Sequence, residues 1–273
     1  MRFKTPDHER LAAGLLGVTL GELRAREITG RLELPPAFDA AAARLEGGEP
    51  LQYVLGRAPF RGLTLTVGPG AFIPRPETEV VAGAAIEALR GFPPARRVAV
   101  DLGTGAGPIA AALATEVADA RVHAVERAWA ALGQARGNLE PLGVAVVGAD
   151  VARVARADGP LGELVGQVAV VAANPPYLLD DAVLGPGVAE REPPAALFGG
   201  GPDGLAAPLV FLAAAARLLA PGGIVVLEHD PSQAAALRAA AAADGLFEGP
   251  ETGRDLAGRD RYLRAVRTSA PAL

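Results

Sequence analysis

The chain has 273 residues, half of them apolar and 21% charged, with a formal net charge of -5. That length can bury a sizeable core in one large and one small domain, and the composition is globular rather than disordered. With no cysteine and a single lysine, Lys4, disulfides, thiolate metal sites and a cysteine nucleophile are excluded, and P-loop or Schiff-base lysine chemistry is disfavoured. The acidic balance argues against a strongly electrostatic nucleic-acid binder. The longest apolar stretch, around Ala206 to Ala216, is interrupted by Pro208 and falls short of the roughly 20 residues a membrane span needs. The opening "MRFKTPDHER" lacks the apolar core of a signal peptide, so a soluble cytoplasmic protein is expected.

From Asp7 to Glu46, apolar residues at helical spacing (Leu11, Leu15, Leu16, Leu20, Leu23, then Phe38, Ala42, Leu45) predict two or three short helices. These break at "LPP" (Leu34 to Pro36) and "EGGEP" (Glu46 to Pro50). "LQYVLGRAPFRGLTLTVGPG" alternates in two segments and predicts a hairpin. "FIPRPETE" follows as an extended connector into a helix near Val80 to Leu89. From Arg96 onward, strands alternate with helices. "RRVAVDL", "RVHAVE", "VAVVGAD", "QVAVVAANPP" and "GGIVVLEHD" read as strands. Ile109 to Val117, Ala128 to Leu139, Leu205 to Leu219 and Ser232 to Ala243 read as helices. Buried β-branched runs in this alternation predict a largely parallel sheet covered on both faces. "GLFEGPET" and "DRYLRAVR", joined too closely for a crossover helix, should pair antiparallel. The division expected is a helical part over 1–48, a hairpin linker over 49–72 and an α/β domain over 73–273.

Two loops carry chemistry. "DLGTGAGP" (Asp101 to Pro108) lies at a strand-to-helix turn, at the carboxyl edge where open α/β sheets bind ligands. Gly103, Gly105 and Gly107 allow close backbone approach, and the helix N-terminus favours an anionic group. Its G-x-G-x-G spacing differs from the G-x-G-x-x-G of dinucleotide folds, which weakens a nicotinamide reading. Glu126 ends the next strand and can accept both hydroxyls of a ribose. Asp150 ends the third and can accept from an adenine amine.

The second loop is "NPPY". Asn174 ends the fourth strand and offers a carbonyl acceptor. With the backbone carbonyl of Pro175 it would aim two acceptors at one planar –NH2 group, on which Tyr177 could stack. Amide and aromatic amines are poor nucleophiles. Holding such a nitrogen in line with an electrophilic methyl is therefore the catalytic device this loop suggests. His8, His123 and His229 lie far apart in the sequence with no cysteine to join them, and no metal site is expected.

With both loops in place, the chain resembles S-adenosylmethionine-dependent methyltransferases of the release-factor glutamine type, the PrmC/HemK family. The resemblance runs from Gly48 to the C-terminus through "GEPLQYVLG", "FIPRPETE", "DLGTGAG", "NPPY", "EREPPAALFGGGPDGL" and "LAPGGIVVLEH". NPPY alone is shared with DNA adenine methyltransferases; "IPRPETE" with the "EP…AL…GGPDGL" segment is more specific. The resemblance implies a Rossmann-like class I methyltransferase fold with an antiparallel last strand. It implies methyl transfer from S-adenosylmethionine to the glutamine amide nitrogen in the Gly-Gly-Gln loop of a peptide-chain release factor. Carried over by position, Gly103, Thr104, Gly105, Ala106, Gly107, Glu126, Asp150, Val151 and Asn174 form the donor site. Asn174, Pro175, Pro176 and Tyr177 form the catalytic amide site. Val151 stands where the family often has an aromatic, Pro108 replaces a small residue, and the N-terminal helical part, which contributes to release-factor recognition, is shorter than usual. Arg75 is expected either at the donor pocket or paired with Glu77 or Glu79. The other readings are an adenine-N6 methyltransferase and a donor-binding protein without catalysis.

Overall fold

The computed structural model describes residues 3–183, 191–243 and 245–270. Helices α1 (Pro6–Leu16), α2 (Leu20–Ile28) and α3 (Phe38–Glu46) open the chain. Their starts are written locally. Thr5 accepts from the His8 amide ahead of Pro6, and Thr19 and Glu22 satisfy each other's backbone N–H groups in a capping box. Leu11, Leu23, Phe38 and Val54 pack as a small core of their own. Val54 belongs to α4 (Leu51–Leu55), where the alternating pattern predicted a strand. The spacing of Leu51, Val54 and Leu55 is equally helical, and packing on the first helices decides the ambiguity. Strands β1 (Arg57–Phe60) and β2 (Leu63–Thr66) form the expected antiparallel hairpin.

Helix α5 (Pro76–Arg90) begins inside the "IPRPETE" motif, earlier than the apolar periodicity suggested. Pro76 takes the first turn, where its missing N–H costs nothing, and Glu77 and Glu79 complement the helix dipole. The chain then runs through β3 (Val98–Leu102), α6 (Pro108–Glu116), β4 (Arg121–Glu126), α7 (Trp129–Leu139), β5 (Ala145–Gly148), the one-turn α8 (Val151–Val154) and β6 (Val168–Ala173). Helix α9 (Ala206–Leu218), β7 (Leu219–Glu228), α10 (Ala234–Ala243), β8 (Phe247–Arg254) and β9 (Asp260–Arg267) complete it.

The sheet order is β5-β4-β3-β6-β7-β9-β8, parallel from β5 to β7 and antiparallel at β9 and β8. The strand–helix alternation predicted the parallel part and the antiparallel final pair, and the order is the class I methyltransferase arrangement that the family resemblance implies. Every residue of β6 is buried. Val171 and Ala173 enter the core beneath α8, α9 and α10, while Val170 and Ala172 enter the core beneath α5, α6 and α7. A strand buried on both faces needs the unbroken apolar run that "VAVVAA" supplies. Among the described residues, no helix is long and apolar enough to cross a membrane.

A bridging cluster joins the first helices to the sheet region. Tyr53 packs with Ala58, Val67, Ile73, Ala106 and Ala131, and its hydroxyl donates to the Ala71 carbonyl. Burial pushes the phenol up to about 12. Replacing Tyr53 by Phe leaves that carbonyl buried without its donor. Urea unfolding should show a loss of about 1–3 kcal/mol with an unchanged m-value.

Candidate active site

In the sheet order, β3 is flanked by β4 on one side and β6 on the other. The connections diverge at this point, and a crevice opens at the carboxyl ends of the two strands. A cavity of about 450 Å³ lies there. Its lining draws on both halves of the sheet: Thr104, Gly105 and Glu126 from one, Thr78, Asn174 and Phe211 from the other. The volume is in the range of small-molecule sites.

The glycine turn is tied down by a buried carboxyl. Asp101 accepts through Oδ2 from the Thr104 hydroxyl at 2.5 Å and from the Ala110 amide at 3.1 Å, linking the end of β3 to the turn and to the start of α6. Its Oδ1 is buried without a hydrogen-bond partner among the described residues. Burial above all raises this carboxyl to about 7, against the pull of the two bonds. The three glycines have different reasons for being glycine. Gly103 and Gly107, at φ +67° and +96°, lie so close to Phe211 and Leu139 that a Cβ would meet those side chains at 2.9 and 2.8 Å. Gly105, at φ +60°, has open space beside it and lines the cavity. Thr104 and Ala106 line it as well, whereas Gly107 is absent from the wall and acts through packing.

Glu126 is held by the backbone on three sides. Its Oε2 accepts from the Gly105 amide at 3.0 Å, and its Oε1 from the amides of Arg127 and Ala128 at 2.7 Å. Such a carboxyl group is fixed in place, with lone pairs left for a pair of hydroxyls. Asp150 and Val151 also line the cavity. Asp150 is more committed than the sequence suggested: it caps α8 by accepting from the Ala152 amide at 2.9 Å, and it meets Arg127 at 3.3 Å. Val151 is buried against the adjacent core.

At the end of β6, Asn174 and Pro176 face the cavity; Pro175 and Tyr177 do not line it. Asn174 donates from Nδ2 to the Thr78 hydroxyl at 3.2 Å, and no hydrogen bond reaches its Oδ1 or the Pro175 carbonyl from the described residues. Tyr177 turns its hydroxyl away, donating to Glu228 Oε1 at 3.1 Å. Its backbone is fixed by Leu197 and by the Gln233 side chain, which donates to its carbonyl. Glu228 is buried at the end of β7, and burial raises its carboxyl to about 7.

Arg75 pairs with neither Glu77 nor Glu79. It donates to the buried Glu192, stacks on Phe72 and stands outside the cavity lining. Glu77 meets Arg259 instead, and Glu79 accepts from the Arg61 amide. Glu192 also accepts from the Ile73 amide, so one carboxylate joins the "IPRPETE" and "EREPPAAL" motifs. Pro193, Ala195 and Ala196, just beyond it, line the cavity. Among the described residues, no group of three or more His, Asp or Glu is arranged to hold a metal ion.

Residues 82–187 match the methyltransferase small domain family. The chain is 43% identical over 261 residues to a release factor glutamine methyltransferase of Mycolicibacterium smegmatis, covering 96% of this chain and 90% of that one. The chain belongs to the release factor glutamine methyltransferase family. A relative of that name in Streptomyces coelicolor is 45% identical over 73% of this chain and 68% of its own. The crystal structure of a release factor-specific protein-(glutamine-N5) methyltransferase from Alicyclobacillus acidocaldarius is 27% identical, with a TM-score of 0.42 over 75% of this chain and 99% of that one. Membership in a methyltransferase family implies S-adenosylmethionine as methyl donor.

Asp101, Thr78, Phe211 and Glu228 were not singled out by the sequence reading. Asp101 and Glu228 share with Glu126 and Asn174 the one available signal, a polar residue ending a β-branched run.

Two outcomes follow from this geometry. Glu126→Gln replaces an acceptor-only group with one that also donates, and should weaken S-adenosylmethionine about ten- to hundredfold by calorimetry. Asp101, with its pKa raised on folding, binds a proton that the unfolded chain has released. Its contribution is present below about pH 4 and is lost as pH rises toward about 7. Asp101→Asn should therefore flatten the decline in unfolding free energy across that window.

Proposed function

We propose that this protein transfers a methyl group from S-adenosylmethionine to the side-chain amide nitrogen of the glutamine in the Gly-Gly-Gln loop of a peptide-chain release factor. The observation that carries the reading is Asn174, which lines the same cavity as the backbone-held Glu126 carboxylate and whose Oδ1 takes no hydrogen bond from the described residues. The residues fit the donor. Glu126 would take its ribose hydroxyls, and Gly105 leaves room for close approach. Asp101 Oδ1, buried and unpaired, is suited to its amino group, while Val151 and Asp150 would flank the adenine.

When bound, the donor supplies a methyl group made electrophilic by its sulfonium. The chain's task is then to present a weak nucleophile correctly. Asn174 Oδ1 and the Pro175 carbonyl each accept one hydrogen of the substrate –NH2, which fixes the plane of the amide and leaves its nitrogen directed at the methyl. These acceptors favour the partial positive charge that would grow on nitrogen as its bond to the methyl forms and the methyl–sulfur bond breaks. One of the two N–H protons they hold would then pass to water, leaving a neutral N-methyl amide. Pro176 lies on the cavity wall. Tyr177 anchors the loop through Glu228 and Leu197. In this reading, residues 1–48 form a helical domain that helps hold the release factor, 49–72 a hairpin linker and 73–273 the methyltransferase domain.

The direct test is labelled-methyl transfer to a purified release factor, to the same factor with its loop glutamine changed to alanine, and to double-stranded DNA. Label on the first alone supports the proposal. Label on DNA would move the protein to adenine-amine chemistry, and donor binding without label on any of the three would overturn the reading. Asn174→Ala should lower kcat by about a hundredfold or more while donor affinity stays within about twofold.

A further inference from the structure

Residues 66–70, which lead from the end of β2 to the cavity, lie along α7 in a fixed step. Asn138 faces Thr66, Gln134 faces Gly68 and Ala130 faces Gly70. Each step is two residues on the extended chain and four on the helix. Two extended residues advance about 6.6 Å and four helical ones about 6 Å, so the contact repeats. The two side-chain amides take the part of a neighbouring strand. Gln134 accepts from the Gly68 amide at 2.9 Å and donates to the Gly68 carbonyl at 3.2 Å. Asn138 does both for Thr66, at 2.9 Å each. At Gly70, with φ +91°, a Cβ would collide with that of Ala130.

The two amides then part ways. Gln134 gives its remaining N–H to the Pro69 carbonyl at 3.3 Å, within the same segment. Asn138 Nδ2 reaches across to the Ala106 carbonyl at 2.9 Å, in the glycine turn. With Oδ1 on an N–H group and both Nδ2 hydrogens on carbonyls, only one orientation of the Asn138 amide satisfies all three partners.

The bond to Ala106 matters because of where that residue sits. Ala106 is fully buried and lines the cavity beside Thr104 and Gly105. The peptide joining it to Gly107 is held at both ends. Its N–H donates to the Thr104 carbonyl at 2.8 Å, and its carbonyl accepts from Asn138. Flanked by Gly105 and Gly107, this stretch of backbone has more freedom to rotate than side-chain-bearing residues would allow, so an outside lock is what fixes it. On the reading of this cavity as the S-adenosylmethionine site, we propose that Asn138 is a positioning residue for the donor. It ties the donor-binding turn to the linker strand, so that donor affinity and the docking of residues 66–70 on α7 are coupled. The coupling is reciprocal: a donor that selects the ordered turn also holds the linker to α7, by the same factor.

Calorimetry of S-adenosylmethionine binding to the full chain compares wild type with Asn138→Ala, Asn138→Asp and Gln134→Ala, alongside the urea midpoint of each. Asn138→Ala should weaken the donor about tenfold. Asn138→Asp keeps the bond from the Thr66 amide but sets a carboxylate against two carbonyls, and should weaken it at least as much. Gln134→Ala loses linker contacts without touching the turn. It should lower the urea midpoint as Asn138→Ala does, while donor affinity stays within about twofold of wild type. A merely structural role predicts instead that affinity follows stability in both. Wild-type affinity in Asn138→Ala, or an equal loss in Gln134→Ala, overturns the proposal. Hydrogen exchange tests the coupling without any substitution. Saturating donor should slow exchange of the Thr66 amide about tenfold in the wild type, and an unchanged rate overturns the proposal even where Asn138→Ala does not fold. A wild type that binds no donor sinks the reading of the cavity; donor binding that Asn138 does not affect sinks the coupling alone.

Discussion

The site depends on the reversal of strand order between β3 and β6. Because the chain winds outward from β3 through β4 and β5, and on the other side through β6 and β7, the carboxyl ends of these strands bring their last residues to one edge. Asp101, Glu126, Asn174 and Glu228 all stand there. The two halves divide the chemistry. The β3–β5 side supplies rigid carboxyl groups and a glycine turn suited to a nucleoside-like donor. The β6–β7 side supplies an amide, two prolines and a buried acid suited to a second, flat group. Neither half is a site by itself.

Polar groups are buried at this edge at a cost, and their partners explain why the cost is tolerated. Asp101 and Glu228 are both driven toward neutrality by burial, yet each accepts from a hydroxyl, that of Thr104 in one case and of Tyr177 in the other. In the first, the bond fixes a backbone turn. In the second, it anchors the loop that carries Asn174. A hydroxyl–carboxyl bond thus shapes a turn in one place and holds a loop in another.

Much of this was legible in the sequence. The β-branched runs of β3, β4 and β6 announce a doubly covered parallel sheet, and Glu126 and Asn174 are conspicuous because they end those runs. Segment 51–55 was misread because a five-residue apolar run satisfies both periods, and only packing against α1 and α3 chooses the helix. Neither expectation for Arg75, the donor pocket or its neighbours Glu77 and Glu79, is met, because its partner, Glu192, lies 117 residues away. Thr78 was hidden inside a recognised motif for the same reason, since its meaning comes from Asn174, 96 positions further on.

The Glu192 clasp also bears on how the cavity comes into being. The Asp101–Thr104–Ala110 knot spans at most nine residues and can form as soon as β3 and α6 meet. The clasp of Arg75 and Ile73 on Glu192, just ahead of the lining residues Pro193, Ala195 and Ala196, closes over 117 and 119 residues, across most of the strands of the sheet. Contacts that distant in sequence are slow to form, because the chain between them must be ordered first. The order of assembly is therefore built in: the glycine turn early, the enclosing wall late. A partly folded chain would carry half a cleft, with the rest of its lining arriving only when β6 and the segment after it are in place.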